Sequence, residues 1–203
     1  MKIVCIGRNY LAHVKELDND LPAEPLFFMK PETALLPHGQ AFVYPSFSKE
    51  IHYETELVLH ICKTGSSIAE DVAADYYDAL TVGIDFTARD LQRECKAKGH
   101  PWEKAKAFDG SAPMGRFKNI SVLRHPEDVT FGMKLNGEWA QQGHSRDMIF
   151  GFNRLVAHVS RYVTLEEGDC IFTGTPQGVA EVHPGDTLEL FLEEEPVLSF
   201  KVK

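Results

Sequence analysis

The sequence predicts an α+β fold that is mainly β, a roll of short strands carrying a few helices. Three observations lead there. Apolar residues alternate with polar or small ones over Val129–Leu135, Leu188–Leu192 and Leu198–Val202, and a period of two belongs to a strand with one buried face. Helical spacing is clear in only a few segments. The helices also do not follow each strand in turn, as a doubly wound parallel sheet requires.

Taken in order, Met1–Gly7 reads as a strand. Its apolar run is too short for the core of a signal peptide, and no small-residue cleavage site follows. Prolines at 22, 25, 31, 37 and 45 divide the first fifty residues into short strands and ordered loops, because each proline fixes its own φ and removes a donor. Between them, Tyr10–Leu17 reads as a short helix. Ile51–Ile61 is strand-like, Ala69–Leu80 has helical spacing, and a strand over Thr81–Asp85 feeds a second helix from about Ala88 to Lys98. Asn136-Gly137 closes the Val129–Leu135 alternation, a strong hairpin signal because both residues accept the left-handed conformation of a tight turn. Met148, Phe152, Leu155, Val159 and Tyr162 fall at helical spacing, with Ile149, Val156 and Val163 widening the same apolar face. Two closing strands flank a break at Glu193–Pro196. No repeat, low-complexity stretch or linker interrupts the chain, so residues 1–203 are expected to form one domain.

A length of 203 residues with 43% hydrophobic and 25% charged residues suits a globular protein with a real core. The net charge of −9 argues against a nucleic-acid binder, which needs clustered Lys and Arg for phosphates. It does not exclude a small anionic substrate, since one bound metal ion reverses the local sign. Cys5, Cys62, Cys95 and Cys170 lie far apart with no C-x-x-C pair, so neither a zinc finger nor a thioredoxin-like site has support. Free thiols in a reducing compartment are expected. No apolar run is long enough to span a bilayer, and a cytoplasmic location without membrane or nucleic-acid partners is the expectation.

The most informative segment is His52-Tyr53-Glu54-Thr55-Glu56-Leu57. On a strand, Glu54 and Glu56 would face one side at about 6–7 Å spacing, and paired carboxylates repel unless a proton or cation intervenes. An isolated E-x-E is more often a solvent-facing edge strand. Asp85 ends an apolar strand just before a helix, where side chains project into clefts; a helix cap is the plainer alternative. Together Glu54, Glu56 and Asp85 would make an all-oxygen set suited to Mg²⁺ or Mn²⁺. His13 and Glu16 stand three apart on one helix face, the pairing that fixes an imidazole tautomer for general-base work. A surface ion pair would give the same spacing.

Beyond these, whole blocks are similar to one family. Gly7-Arg8-Asn9-Tyr10 with His13 and Glu16, then Phe28-Met29-Lys30-Pro31, resemble the opening of the fumarylacetoacetate hydrolase family. Glu54-Thr55-Glu56-Leu57, Asp85-Phe86-Thr87-Ala88-Arg89-Asp90-Leu91-Gln92, Ala105-Lys106-Ala107-Phe108-Asp109, Leu165-Glu166-Glu167-Gly168-Asp169 and Thr173-Gly174-Thr175-Pro176 follow in the family's order. The resemblance implies the mixed β-roll of that family's C-terminal domain and a homodimer. It implies Glu54, Glu56 and Asp85 as ligands of Mg²⁺ or Mn²⁺, and His13 with Glu16 as a water-activating dyad on a lid. Lys106 is the third catalytic residue so implied, and Arg8, Lys30, Arg89, Gln92 and Thr175 match substrate-binding positions. Plainer alternatives remain for several: Arg89 paired with Asp90, Lys106 in solvent, Thr175 as a turn residue. Asp109 departs from the small or hydroxyl residues of close relatives, and an extra carboxylate there is expected to alter substrate choice or the local pKa values.

The expected substrate is a small 2-oxo acid, and the expected reaction is hydrolytic cleavage of an acylpyruvate. The expectation is a catalytic domain alone, without the extra N-terminal domain of the true fumarylacetoacetate hydrolases, which points to simpler acylpyruvates. The same enolate chemistry fits oxaloacetate decarboxylation or a 2-oxo acid isomerase or tautomerase. A non-catalytic metal-containing binding protein is the alternative outside enzymology.

Overall fold

A computed structural model describes residues 1–12, 21–123, 125 and 128–203. Its strands are β1 (Ile3–Gly7), β2 (Leu26–Lys30), β3 (Ile51–Tyr53), β4 (Thr55–Ile61), β5 (Tyr77–Ile84), β6 (Thr87–Ala88), β7 (Lys118–Asn119), β8 (Thr130–Leu135), β9 (Glu138–His144), β10 (Cys170–Phe172), β11 (Ala180–Glu181), β12 (Thr187–Leu192) and β13 (Glu195–Lys201). The α-helices among the described residues are α1 (Arg89–Lys98), α2 (Glu103–Lys106) and α3 (Phe152–Ser160). The strands form sheets ordered β2-β1-β10-β4-β5-β7, β11-β3-β6 and β13-β12-β8-β9. Only the β1–β10 pairing is parallel within these described strands. The fold is therefore mainly β with few helices, as the period-two runs predict.

The hairpin and the closing strands form where expected. Asn136 (φ 54) and Gly137 (φ 88) turn the chain between β8 and β9, both in the left-handed region that a two-residue hairpin needs. Leu188, Leu190 and Leu192 on β12 point into the core with Met133 and Phe131 of β8 and Phe200 of β13. That face packs on Leu57, Leu59, Leu80, Val82 and Ile84 of the six-stranded sheet, all fully buried. Burying each such side chain contributes roughly 1.5–3 kcal/mol, so this interface is the main support for the strands that carry the site.

Three expectations are corrected. Ala69–Leu80 is not a helix: Glu70–Tyr76 is a 3-10 turn and Tyr77–Leu80 begins β5. The register from Ile61↔Tyr77 to Thr55↔Ile84 gives β5 a full ladder with β4, and that pairing overrides the local spacing. Ile51–Ile61 is not one strand, because it breaks at Glu54. β3 pairs with β6 and β11, whereas β4 pairs with β5 and β10. The helix expected over Met148–Val163 is shorter, covering Phe152–Ser160 with Gly151 as its extended N-cap. Tyr162 lies past its end, 63% exposed. The helix expected over Tyr10–Leu17 falls mostly outside the described residues. Among the described residues no helix is long and apolar enough to cross a membrane.

Candidate metal centre

Three strands' ends build the centre. Glu54 occupies the break between β3 and β4, Glu56 is the second residue of β4, and Asp85 follows β5 directly. The Asp85 backbone N–H donates to the Glu54 carbonyl at 2.8 Å, fixing the two segments side by side. One carboxylate oxygen from each of the three residues falls within 4.8 Å of the others. None is a solvent-facing group: Glu54 is 7% exposed, and Glu56 and Asp85 are each 1% exposed.

Buried carboxylates this close require compensation, and two of them have it. Lys106, the last residue of α2, places Nζ 2.6 Å from Asp85 Oδ2, 2.9 Å from Glu54 Oε2 and 2.6 Å from the Thr87 hydroxyl. Burial opposes the charged form of Lys106, but Asp85 and then Glu54 outweigh it and raise its pKa above the ordinary value. Lys30, at the end of β2, lies 2.8 Å from Asp85 Oδ1. Its ammonium is caged by the carbonyls of Phe86, Lys106 and Ser111 and by the Ser111 hydroxyl. Arg89, opening α1, donates from Nη2 to Glu54 Oε1 at 2.6 Å and from Nη1 to Gln92 Oε1 at 2.7 Å. Gln92 therefore braces the arginine that braces Glu54. The alternatives of a solvated Lys106 and an Arg89–Asp90 pair are set aside, since Asp90 instead accepts from Ser48 and the Lys49 backbone.

Glu56 differs. Among the described residues it has no ion-pair partner, and its Oε2 accepts a 2.7 Å hydrogen bond from the Gly174 backbone. Burial, then the charges of Asp85 and Glu54, push its pKa well up. Asp85 Oδ1 is buried and, despite Lys30 nearby, accepts no aligned hydrogen bond. An uncompensated carboxylate, an acceptor with spare capacity and a set made only of oxygens fit a hard divalent cation. The three carboxylates are matched by the three cations that touch them or their neighbours, so a divalent ion would leave an excess of positive charge, to which Arg8 and Lys96 on the pocket wall add, as suits a small anion.

The pocket over this centre is lined by Arg8, Leu26, Phe28, Gln92, Lys96, Trp102 and Thr175 as well as Glu54, Glu56, Asp85, Arg89 and Lys106. Arg8 directly follows β1 in the left-handed region, at φ 60, a conformation a non-glycine residue holds only when its surroundings impose it. Thr175 lies on the loop after β10. That loop is fixed by Asn9, whose side-chain amide donates to the Thr173 carbonyl (2.7 Å) and the Phe150 carbonyl (3.0 Å) and accepts from Phe150 N. Gly174 has φ 101, and a Cβ there would lie 2.7 Å from the Asn9 Cβ. Gly174→Ala is thus expected to destabilise the fold by about 3 kcal/mol, combining left-handed strain with overpacking. Urea denaturation checks this, and an unchanged midpoint would refute the close approach.

Spacing points to Glu54 and Glu56, a strand end to Asp85 and the family resemblance to all three as ligands, and the structure gathers them. It also brings Lys106, Arg89, Gln92, Arg8 and Thr175 to the same pocket, whereas Lys30, expected to bind substrate, is fully buried behind Asp85 and does not line it. His13 and Glu16 lie outside the described residues. Asp109 does not join the site: it is exposed on a separate groove with Leu35, Leu36 and Val43. Asn9, Thr87, Ser111 and Gln141 are structural partners that the sequence pattern did not single out. Asn9 sits inside a motif that was noticed, whereas Gln141 carries no local signal.

The family model described as fumarylacetoacetate (FAA) hydrolase C-terminal matches residues 2–203. A mitochondrial oxaloacetate tautomerase of Mus musculus is 41% identical over 201 residues, 99% of this chain and 91% of the relative. The crystal structure of fumarylpyruvate hydrolase from Pseudomonas aeruginosa in complex with Mn²⁺ and pyruvate superposes with a TM-score of 0.94 at 37% identity. The match covers 100% of this chain and 89% of that one. The 5-carboxymethyl-2-hydroxymuconate delta-isomerase from Mycobacterium smegmatis follows with a TM-score of 0.87 at 32% identity, over 99% of this chain and 78% of that one.

Proposed function

Because the chain belongs to the fumarylacetoacetate hydrolase family, we propose that it is a divalent-metal-dependent enzyme that stabilises the enolate of a small 2-oxo acid and cleaves acylpyruvates. The observation that carries this reading is the convergence of buried Glu54, Glu56 and Asp85 beside the buried ammonium of Lys106. Glu54, Glu56 and Asp85 would hold Mg²⁺ or Mn²⁺, which supplies Lewis acidity to the carboxylate and 2-oxo oxygens of the substrate. Support for such an ion comes from the Mn²⁺ and pyruvate bound to the fumarylpyruvate hydrolase.

The chain's own residues do the rest. The Thr175 hydroxyl donates to the substrate carboxylate, and Arg8 adds positive charge at the pocket wall. Lys106 faces the enolate oxygen as negative charge develops there, the point at which a preorganised donor acts most strongly. Arg89 and Gln92 hold Glu54 in place, and Lys30 holds Asp85. Phe28 and Trp102 line the pocket and limit water around the reacting bond. His13, oriented by Glu16, takes the proton from the attacking water. Attack on the distal carbonyl breaks the carbon–carbon bond, and the pyruvate enolate then takes a proton at carbon to give pyruvate and a carboxylic acid.

A second reading is favoured by the 41% identity to the murine oxaloacetate tautomerase. From keto oxaloacetate, loss of CO₂ would form the same pyruvate enolate, and proton transfer at C3 would interconvert the keto and enol forms; neither step needs activated water. A paired assay separates the two. Metal-stripped protein is offered acetylpyruvate and oxaloacetate, with and without Mg²⁺ or Mn²⁺, and CO₂ release is followed beside enol–keto conversion. Metal-restored consumption of acetylpyruvate is expected. Turnover of oxaloacetate alone would place the second reading first, and no turnover of either with metal bound would overturn both.

The proposal extends to one catalytic domain, a homodimer and a cytoplasmic location. Free thiols at all four cysteines accord with a reducing compartment. Light scattering and cell fractionation test the last two.

A further inference from the structure

Gln141, on β9, is buried beneath the pocket and bonds to both sides of it. Its Oε1 accepts from the Thr55 backbone N–H at 2.8 Å, between the ligand positions Glu54 and Glu56. Its Nε2 donates to the Thr175 hydroxyl at 3.0 Å and to the Pro176 carbonyl at 3.0 Å. The orientation of the amide is settled by its partners. A backbone N–H can only donate, so the atom facing Thr55 is the oxygen, and the carbonyls of Pro176 and Gln177 on the other side can only accept.

A consequence follows for Thr175. Its oxygen accepts a hydrogen bond from Gln141, so its own O–H is left to donate elsewhere. Among the described residues, its one acceptor is the Pro176 carbonyl at 3.4 Å, a long contact. Thr175 lines the pocket with Glu56 and Asp85. We infer that Gln141 is a positioning residue that fixes Thr175 as a hydrogen-bond donor toward the carboxylate of the 2-oxo acid. This rests on the substrate class proposed above and deepens it. The pocket is polarised to recognise a carboxylate because a second amide, out of substrate reach, sets the direction of one hydroxyl.

Two substitutions separate this role from simple packing. Gln141→Glu keeps the shape and the Thr55 bond, but it presents a second acceptor to Thr175 and draws the hydroxyl proton away from the substrate. Gln141→Leu removes both bonds yet leaves the hydroxyl free to donate. A packing role therefore makes Leu the more damaging change for ligand binding, and the donor role makes Glu the more damaging one.

The experiment is calorimetric titration of Mn²⁺-loaded protein with pyruvate at about pH 8, well above the ordinary carboxylate range. Steady-state kinetics and thermal melting accompany it. Gln141→Glu is expected to weaken pyruvate binding and raise KM by about tenfold to a hundredfold, the worth of a hydrogen bond to a charged group. The kcat stays within a few-fold and Mn²⁺ affinity is unchanged. Gln141→Leu lowers the melting temperature more but weakens pyruvate less. Thr175→Val reproduces the Gln141→Glu loss, Thr175→Ser restores affinity, and combining Gln141→Glu with Thr175→Val adds nothing further. Pyruvate affinity lost more in Gln141→Leu than in Gln141→Glu, or full additivity with Thr175→Val, would overturn the inference while leaving the substrate class intact. Failure of the Mn²⁺-loaded wild type to bind pyruvate would overturn both.

Discussion

Glu56→Gln is expected to weaken Mn²⁺ binding by roughly a hundredfold or more, since even residues behind the ligands are worth about 10–100-fold. Metal-dependent turnover should vanish with it, yet the metal-free protein should unfold no more easily than the wild type. The reason is the unequal compensation of the three carboxylates. Glu54 is tied to Arg89 and Lys106, and Asp85 to Lys30 and Lys106, whereas Glu56 accepts its backbone bond from Gly174 beside two other buried negative charges. Removing that charge relieves repulsion and leaves no ammonium stranded, and the amide oxygen still accepts from Gly174. Asp85→Asn makes the opposite case. It withdraws the charge that both buried lysines depend on, and breaking a buried pair of this kind costs about 3–5 kcal/mol. Titration with Mn²⁺, and urea denaturation in chelator, read the two effects separately. A Glu56→Gln protein that bound Mn²⁺ like wild type would remove the triad as the metal centre. A Glu56→Gln protein destabilised as much as Asp85→Asn would show the charge assignment to be wrong.

Much of this site is visible in the sequence because its acids cluster in two short segments, and the reason the remainder is not is physical. β8, β12 and β13 each bury one face, so alternation marks them directly. β5 is paired on both edges, and Ala79 to Ile84 are buried without interruption, which erases the alternation that announces a strand. The Ala-rich turn before it then supplies a misleading helical spacing. The same distinction governs the side chains. Glu54 and Glu56 are read from adjacent positions, but the cage of Lys30 closes on residues 56 and 81 positions away, and Gln141 meets Thr55 from 86 positions away. Such contacts follow from how distant strands come together, here the placement of β10 between β1 and β4 and the packing of β8, with its hairpin partner β9, on β4. A local pattern does not contain that arrangement. The recurrence of whole motif blocks did carry Lys30, Lys106 and Thr175, because blocks travel with the fold that brings them together. Gln141 lies in no such block and was found only from its bonds.

Lys106→Met is expected to lower kcat by about 10²–10³-fold, the effect of removing one preorganised donor from a developing oxyanion, while Mn²⁺ binding is kept or tightened. The two halves of that expectation come from one position. Lys106 Nζ touches Asp85, Glu54 and Thr87, so it shares with any bound cation the same two carboxylates. Taking the ammonium away removes a competitor for them as well as a donor to the substrate. In chelator the variant should be less stable than wild type, because Glu54 and Asp85 then repel with less relief. Added Mn²⁺ should restore more stability to the variant than it adds to the wild type, since tighter binding to the folded state gives a larger shift. Lys106→Arg is not expected to recover the rate. A single compact ammonium reaches three oxygens here, and a planar guanidinium cannot occupy that point without displacing Thr87 or the Phe28 ring, whose centroid lies 5.0 Å from Nζ. The decisive comparison is kcat beside the Mn²⁺-induced rise in melting temperature. A slow enzyme with a larger rise would place Lys106 at the enolate. A slow enzyme that had lost its Mn²⁺ would instead make Lys106 a residue that holds the metal site together, and the enolate role would fall.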